Sequence, residues 1–584
     1  MFFDRSQATA VAFCRYEDDL AGNLLRLLER LKDKESPWWQ DPSFIGATSL
    51  IPKKLEIDTE HELAEEPFGI SDPEEEWSFC RSNYPVTPVF RPIADFTIDM
   101  HVVSALWINL VGEKFDSLLG DEALGSRVRR LNREDSEEQG TTYHSAVWQT
   151  FKPYFSAYKK WRNDGFLAVE KALQEDRKLI LIMLDFASFF HKIDAEFLLD
   201  SKYLKASGYY DLHAGGPTEE ESQFTEQLVD AFKTWDRFNP VRVEGAPVGL
   251  PVGCTASRVI ANCLLVEFDK LVKQRLSPIY YARYVDDIFL VVEDHGQFGS
   301  RSSITDFLCK QLEPYAKPIS NDSDGIEIEL PYAQKSNLCF QTEKQRYFKL
   351  NGKSGLELLD TIRSNIDDMT SEWRLLPDVR ELEESASVRV LTNSTDQLEA
   401  HALRKTDGLS VRRLGLALLL RKMRALAAML PDKEWAKTRN KLFDLACRHV
   451  ITPLRIFDLY IYLPQLLGLA VGTSSWGMAH KLVGRIGSVF EELKEHDSTK
   501  TADPFGPYEM RWNCLYSNLR DLLKESVLQN VPLNLGASDL EGPIDELTRQ
   551  IAILGTTEKT HLNDYDPVEV AEELYCRDLA AYPF

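Results

Sequence analysis

No stretch of this sequence is apolar for long enough to cross a bilayer. The runs 179–184 and 414–420 fall far short of the roughly 20 residues a membrane helix needs. The segment 459–471 is interrupted by Pro464 and Gln465, so it reads as core. Paired cysteines are missing too: nine Cys are scattered without a CxxC or a neighbouring His. That excludes a zinc ribbon or disulfide scaffold and points to the reduced thiols of a cytosol. Basic charge is in deficit, with 68 Lys and Arg against 92 Asp and Glu and a net charge of −24. Such a chain does not coat nucleic acid non-specifically, because phosphate attraction dominates that mode of binding; a local basic channel stays open. Met1-Phe2-Phe3 runs into Asp4 and Arg5, which does not read as a secretory signal. The expectation is a cytoplasmic protein with no membrane partner.

At 584 residues and 43% hydrophobic, the chain has material for several domains. Its most informative stretch is 280–292, an apolar and β-branched run broken by Asp286-Asp287. The pattern predicts two buried strands joined by a tight turn with both acids at its tip. Adjacent carboxylates repel, and a hard divalent cation such as Mg²⁺ offsets the repulsion with oxygen ligands. An ordinary Asp-Asp turn is the plain alternative.

Upstream, Leu20, Leu24, Leu25, Leu28 and Leu31 form a helical stripe, and 56–76 holds ten acids with no Lys or Arg, which suits a solvated loop. The pattern turns helical again over 93–119. Residues 126–162 alternate cations (Arg127, Arg129, Arg130, Arg133, Lys152, Lys159, Lys160, Arg162) with aromatics (Tyr143, Trp148, Phe151, Tyr154, Phe155, Tyr158, Trp161). Interleaved charges and rings suit contact with phosphates and bases, or else a helix with a core face and a solvated face. Residues 179–184, apolar on both faces, predict a central strand ending in Asp185. Asp194 is expected to cap a helix over 195–199. Gly245 to Asn262 reads as a Gly/Pro loop opening an apolar helix, with Ser257 inside it. A strand is expected over 325–330, and a strand pair at 338–340 and 346–350 with Lys344 in the turn between. Beyond about 356 the pattern is helical: 411–430, 434–450, 455–470, 477–495, 507–529, 544–553 and 567–580, suggesting an α-repeat array.

The order is an acid at a strand end, a Gly/Pro loop opening a helix, then Tyr284-Val285-Asp286-Asp287 on a hairpin. It resembles the palm of reverse transcriptases over roughly residues 90–350. Asp185 through Phe190 matches the first palm motif, Gly249-Leu250-Pro251-Val252-Gly253 with Ser257 and Ala261-Asn262 the second, and the hairpin the third. Val252 stands where many relatives carry Gln. Gly125-Ser126-Arg127-Val128-Arg129 precedes the palm, and a helical half follows it. In these respects the chain is similar to the prokaryotic defence-associated and abortive-infection reverse transcriptases of the unknown groups.

The resemblance implies an α+β fold: a right-hand fingers and palm with an antiparallel palm sheet, followed by an all-α helical-repeat domain. The expected division is 1–90 as an N-terminal helical and acidic extension, 91–355 as fingers and palm, and 356–584 as a thumb-like helical domain. It implies an RNA-directed DNA polymerase, a DNA nucleotidyltransferase making DNA from dNTPs in antiphage defence. Synthesis untemplated, protein-primed, or templated by a partner non-coding RNA all stay open. Two Mg²⁺ ions, with Mn²⁺ as a substitute, would be held by Asp185, Asp286, Asp287 and the carbonyl of Phe186, with Asp185 and Asp286 bridging. Arg127, Arg129, Pro251, Val252, Gly253 and Lys344 become nucleotide contacts, and Phe190 a gate against the ribose 2′-hydroxyl. Val252 cannot donate the hydrogen bonds of Gln, which loosens the link to ordinary templated copying. Expected partners are dNTPs, the DNA product, a non-coding RNA, a second reverse-transcriptase or effector subunit, and further copies of the chain. A general retron- or intron-like reverse transcriptase and a non-catalytic scaffold of a defence complex remain the alternative readings.

Overall fold

Every residue of 179–184 is apolar, and the fold uses both faces of the strand they form. In a computed structural model the strand runs Leu179–Asp185 (β3). It lies inside a four-stranded antiparallel sheet between Asp287–Glu293 (β5) and Arg346–Leu350 (β9), with Tyr280–Tyr284 (β4) at the edge beyond β5. Side chains alternate across a sheet. Ile180, Ile182 and Leu184 therefore join one core with Ile288, Leu290 and Val292. Leu179 and Leu181 join a second core with Phe289, Val291 and the helix residues Trp161, Val169, Ala172 and Leu173. A strand between two cores has no polar face to show, so its sequence shows no alternation.

The structure describes residues 10–58, 72–129, 150–213, 215–239, 242, 247–319, 322–340, 345–360, 416–417, 419–500, 508–531 and 537–555. It is a mixed α+β chain, predominantly helical, with small antiparallel sheets. Gly46–Ile57 (β1) and Val86–Phe96 (β2) form a two-stranded sheet; Ala316–Ile319 (β6), Asp322–Ile328 (β7) and Leu338–Phe340 (β8) form a three-stranded one. The expected pairing of 338–340 with 346–350 does not occur. β8 pairs with β7, and β9 pairs with β3. Two neighbouring segments with a short connection suggest a hairpin, but the buried edge of β3 takes β9 instead.

The chain groups into two compact units. One holds residues 26–48 and 94–367, with the four-stranded sheet. The other holds 1–25, 49–93 and 368–584. This differs from the three consecutive segments expected, because 49–93 shares a core with the C-terminal helices. Trp77 and Val86 are buried with Phe443, Leu463, Phe490, Trp512 and Tyr516. The Phe90 ring stands 5.3 Å from Trp512 and 5.6 Å from Phe457. The expected helices are present as Asp432–Leu445, Leu463–Gly472, Trp476–Glu495, Tyr508–Gln529 and Ala537–Ala552; of the one over 411–430 the described residues 416–417 and 419–429 are helical, and the one over 567–580 lies outside the described residues. Part of the acidic run has a local role: Asp72 caps the helix Pro73–Asn83, and Glu74, Glu75 and Glu76 occupy its first turn, where the helix dipole favours negative charge. The N-terminal leucine stripe forms a helix, as its spacing suggested, but most of it faces outward. On Leu20–Lys32 only Leu27 is buried, and Leu20, Leu24, Leu25 and Leu28 are exposed.

Candidate active site

The site begins with register. Asp185, the last residue of β3, lies directly across from Asp287, the first residue of β5, and Tyr284 at the end of β4 lies across from Asp287 on the other side. Opposed residues of antiparallel strands project to the same face, with Cα atoms about 4.5–5.5 Å apart. By the same alternation that face is the one covered by the helix Tyr154–Gln174. All three acids are half-buried. Asp286 sits in the two-residue turn between β4 and β5. Register thus sets Asp287 opposite Asp185.

The turn is held under strain. Val285 has φ +61°, a region that favours Gly and that a β-branched residue enters only when its surroundings enforce it. Positive φ at the first central residue of a two-residue hairpin matches a type II′ turn. What enforces it is a buried polar network. Arg283 is 0% exposed and donates from Nη1 to the Val285 carbonyl (3.1 Å) and to Asn262 Oδ1 (2.6 Å), and from Nη2 to the Asn262 carbonyl (2.9 Å). Its Nε reaches both oxygens of buried Asp269 (2.8 and 2.9 Å), which also accepts from the Tyr281 hydroxyl (2.6 Å). Asn262 in turn donates to the Gly125 carbonyl (2.6 Å). Gly125 presses on the turn so closely that a Cβ there would lie 2.8 Å from the Val285 nitrogen. Burial pushes the Asp269 carboxyl above its ordinary range, and the Arg283 guanidinium opposes the push.

The Gly/Pro loop abuts this centre. Leu250 N–H donates to the Phe190 carbonyl (2.6 Å), and Ala94 N–H to the Val252 carbonyl (2.7 Å). Gly249 has φ +74°, and a Cβ on it would lie 3.0 Å from the His191 carbonyl oxygen. Gly253 has φ +110° and lies as close to the Ala94 carbonyl. Both glycines are required by conformation and by approach. Pro251 is buried, Val252 half-buried and Gly253 exposed, and the helix Thr255–Leu264 follows. Phe186 is buried, its ring stacked 4.1 Å from Phe340. Phe190 is half-buried and edge-on to Phe189. Asp194 caps the 3-10 turn Ala195–Leu199, as its position suggested.

The expected phosphate-binding cations separate. Arg127 is a structural residue. Its Nε donates to Asp116 Oδ1, and its two Nη atoms donate to the carbonyls of Asp116, Leu119, Gly120 and Ala123. All five N–H donors of the guanidinium are used, leaving none for a triphosphate. Arg129 is exposed beside a backbone bridge between 128 and 151. Lys344 lies outside the described residues.

Two features went unread in the sequence. One is Arg283, a charge on an alternating buried strand, which demands a buried counter-ion. The other is Arg258, the lone cation on an apolar helix, exposed with its guanidinium 5.8 Å above the Phe151 ring. Among the described residues no three His, Cys, Asp or Glu side chains form a set able to hold a metal ion by themselves. Among them, too, no helix is long and apolar enough to cross a membrane. No protein-family model matches the chain, and no curated protein matches it.

Proposed function

We propose that this chain is a Mg²⁺-dependent DNA polymerase of the reverse-transcriptase type, acting in antiphage defence. The observation that carries the reading is the register of Asp185 against Asp287, with Asp286 in the turn between paired strands. Residues about 100 positions apart in sequence meet at one end of one sheet, beside the loop 249–253. Magnesium is commonly held by one or two carboxylates, with substrate phosphates and water completing its shell. Facing carboxylates without a complete protein cage fit that need. When bound, Mg²⁺ supplies charge neutralisation at the transferred phosphoryl group and lowers the pKa of the attacking hydroxyl.

The residues of the chain do the positioning. Asp185 and Asp287 at the strand ends, with Asp286 in the strained and therefore well-defined turn, offer hard oxygen ligands. Phosphoryl transfer needs placement and charge stabilisation more than covalent help, so rigidity at this turn is the main protein contribution. Phe190, half-buried and with its carbonyl tied to Leu250, is the bulky ring this reading assigns to the gate against a ribose 2′-hydroxyl. The chain's acidity disfavours gripping long duplexes and suits short or untemplated products.

The test uses purified full-length protein with Mg²⁺ or Mn²⁺ and each dNTP alone or mixed, before and after nuclease removal of co-purifying RNA. Labelled DNA is the expected product, lost in Asp286→Asn. Product that survives RNA removal indicates untemplated synthesis; product that vanishes indicates an RNA template. No product in any arm, together with an Asp286→Asn chain that still protects cells from phage, refutes the polymerase reading in favour of a scaffold.

A further inference from the structure

An exposed aromatic surface lies beside the acids. Tyr154 is 64% exposed, more than any other aromatic residue among the exposed large apolar residues described. It stacks on Tyr158 (5.6 Å between centroids, 14° between planes) and meets Tyr284 edge-on at 5.3 Å. Tyr158 meets Tyr284 in the same way at 5.4 Å. Tyr284 is the residue that pairs with Asp287. The ladder is braced from behind. Trp161 donates its Nε1–H to the Ala282 carbonyl (3.2 Å), and the Tyr280 hydroxyl donates to the Trp161 carbonyl (2.9 Å). Gly165 lets the helix approach so near that a Cβ would lie 2.3 Å from the Phe289 ring.

An exposed ring held at fixed pitch and distance from a pair of carboxylates has no packing role for its outer face. Its surroundings are polar and charged: Asp287 lies near enough to help burial raise the Tyr154 hydroxyl. A cation in this region is Arg258 on the helix Thr255–Leu264, its guanidinium 5.8 Å above the ring of Phe151, three residues before Tyr154. Lys152 and Arg129 are exposed on the adjoining bridged segment. Carboxylates repel phosphate, so a ligand here must take its base on the ring and its phosphate toward the guanidinium.

We propose that Tyr154, backed by Tyr158 and Tyr284, is a stacking platform for a nucleobase, and that Arg258 receives the phosphate attached to it. The ligand class rests on the polymerase reading, whereas the platform itself is tested by binding alone. Stacking is tolerant of sequence because every base has a π-face, and removing one such ring weakens single-strand binding by roughly tenfold.

The experiment measures anisotropy of a fluorescent oligothymidylate, and separately the affinity for dTTP, on the full chain in EDTA so that no synthesis occurs. Tyr154→Ala is expected to weaken one of the two ligands by about tenfold, while Tyr154→Trp stays within about twofold of wild type. The ligand that responds identifies the source of the base, strand or free nucleotide. Arg258→Gln is expected to weaken the same ligand and to lower the salt dependence of strand binding by about one phosphate contact. Melting curves of both variants should overlay the wild type, since both side chains are exposed. Equal affinities in wild type and Tyr154→Ala for both ligands overturn the platform, as does a wild-type chain that binds neither. Synthesis that persists in Asp286→Asn overturns the polymerase reading and leaves the binding result standing.

Discussion

Replacing Arg283 by Met removes the cation from a site that is 0% exposed and leaves the Asp269 carboxylate, 1% exposed, without its ion-pair partner. Five hydrogen bonds between 2.6 and 3.1 Å go with it: two to Asp269, two to Asn262 and one to the Val285 carbonyl. Breaking a buried pair by removing one partner destabilises by about 3–5 kcal/mol, because the surviving charge keeps its desolvation penalty. For a unit of this size that corresponds to a fall in melting temperature of roughly 5–15 °C. Differential scanning calorimetry reads it, following the transition that Arg283→Met moves. The double variant Arg283→Met, Asp269→Leu removes both charges and should recover more than half of the loss, since apolar replacement of a whole buried pair is often near neutral.

A pH arm adds a sign. Asp269 without its cation has a folded-state pKa well above its unfolded value, so the unfolded chain loses its proton first and stability falls as pH rises between the two. The deficit of Arg283→Met is therefore larger at pH 8 than at pH 5. A single variant no less stable than the double, with a deficit independent of pH, refutes the argument that this ion pair is what holds the turn.

Gly249→Ala should lose about 1–3 kcal/mol and depress dNTP incorporation, because φ +74° and the His191 carbonyl at 3.0 Å both oppose a Cβ; a melting temperature unchanged from wild type would contradict this. Asp236 is pushed up to about 6 by burial, with Arg242 opposing, so wild type loses stability as pH rises from about 4 through 6. Asp236→Asn removes that loss and should gain up to about 2–3 kcal/mol relative to wild type between pH 4.5 and 7.5, read as a difference in melting temperature. Phe190→Ala should raise ribonucleotide incorporation relative to deoxyribonucleotide; identical discrimination in the two proteins would remove Phe190 from the sugar gate.

Local chemistry was legible where a residue type admits few uses. The apolar run before Asp185 announced an interior strand, the broken run around Asp286 announced a hairpin, and Asp194 announced a cap. Arg127 shows the opposite case. Its type and neighbourhood suit phosphate, yet its five donors close on carbonyls of the loop 116–123 and on Asp116. Nothing local marks those carbonyls as unsatisfied. Arg283 was hidden for a related reason: its partners Asp269 and Asn262 lie 14 and 21 residues away on two helices.

By itself the sequence determined the strands and the hairpin, because periodicity, glycine and apolar content act over a few residues; it put both acids at the tip, whereas Val285 and Asp286 form the turn and Asp287 opens β5. Tertiary structure decided what depends on residues far apart. It chose β9 as the neighbour of β3, set Asp287 opposite Asp185, and joined 49–93 to the C-terminal helices. Those outcomes follow from which buried edges and faces fit one another, a comparison that no single stretch of chain contains.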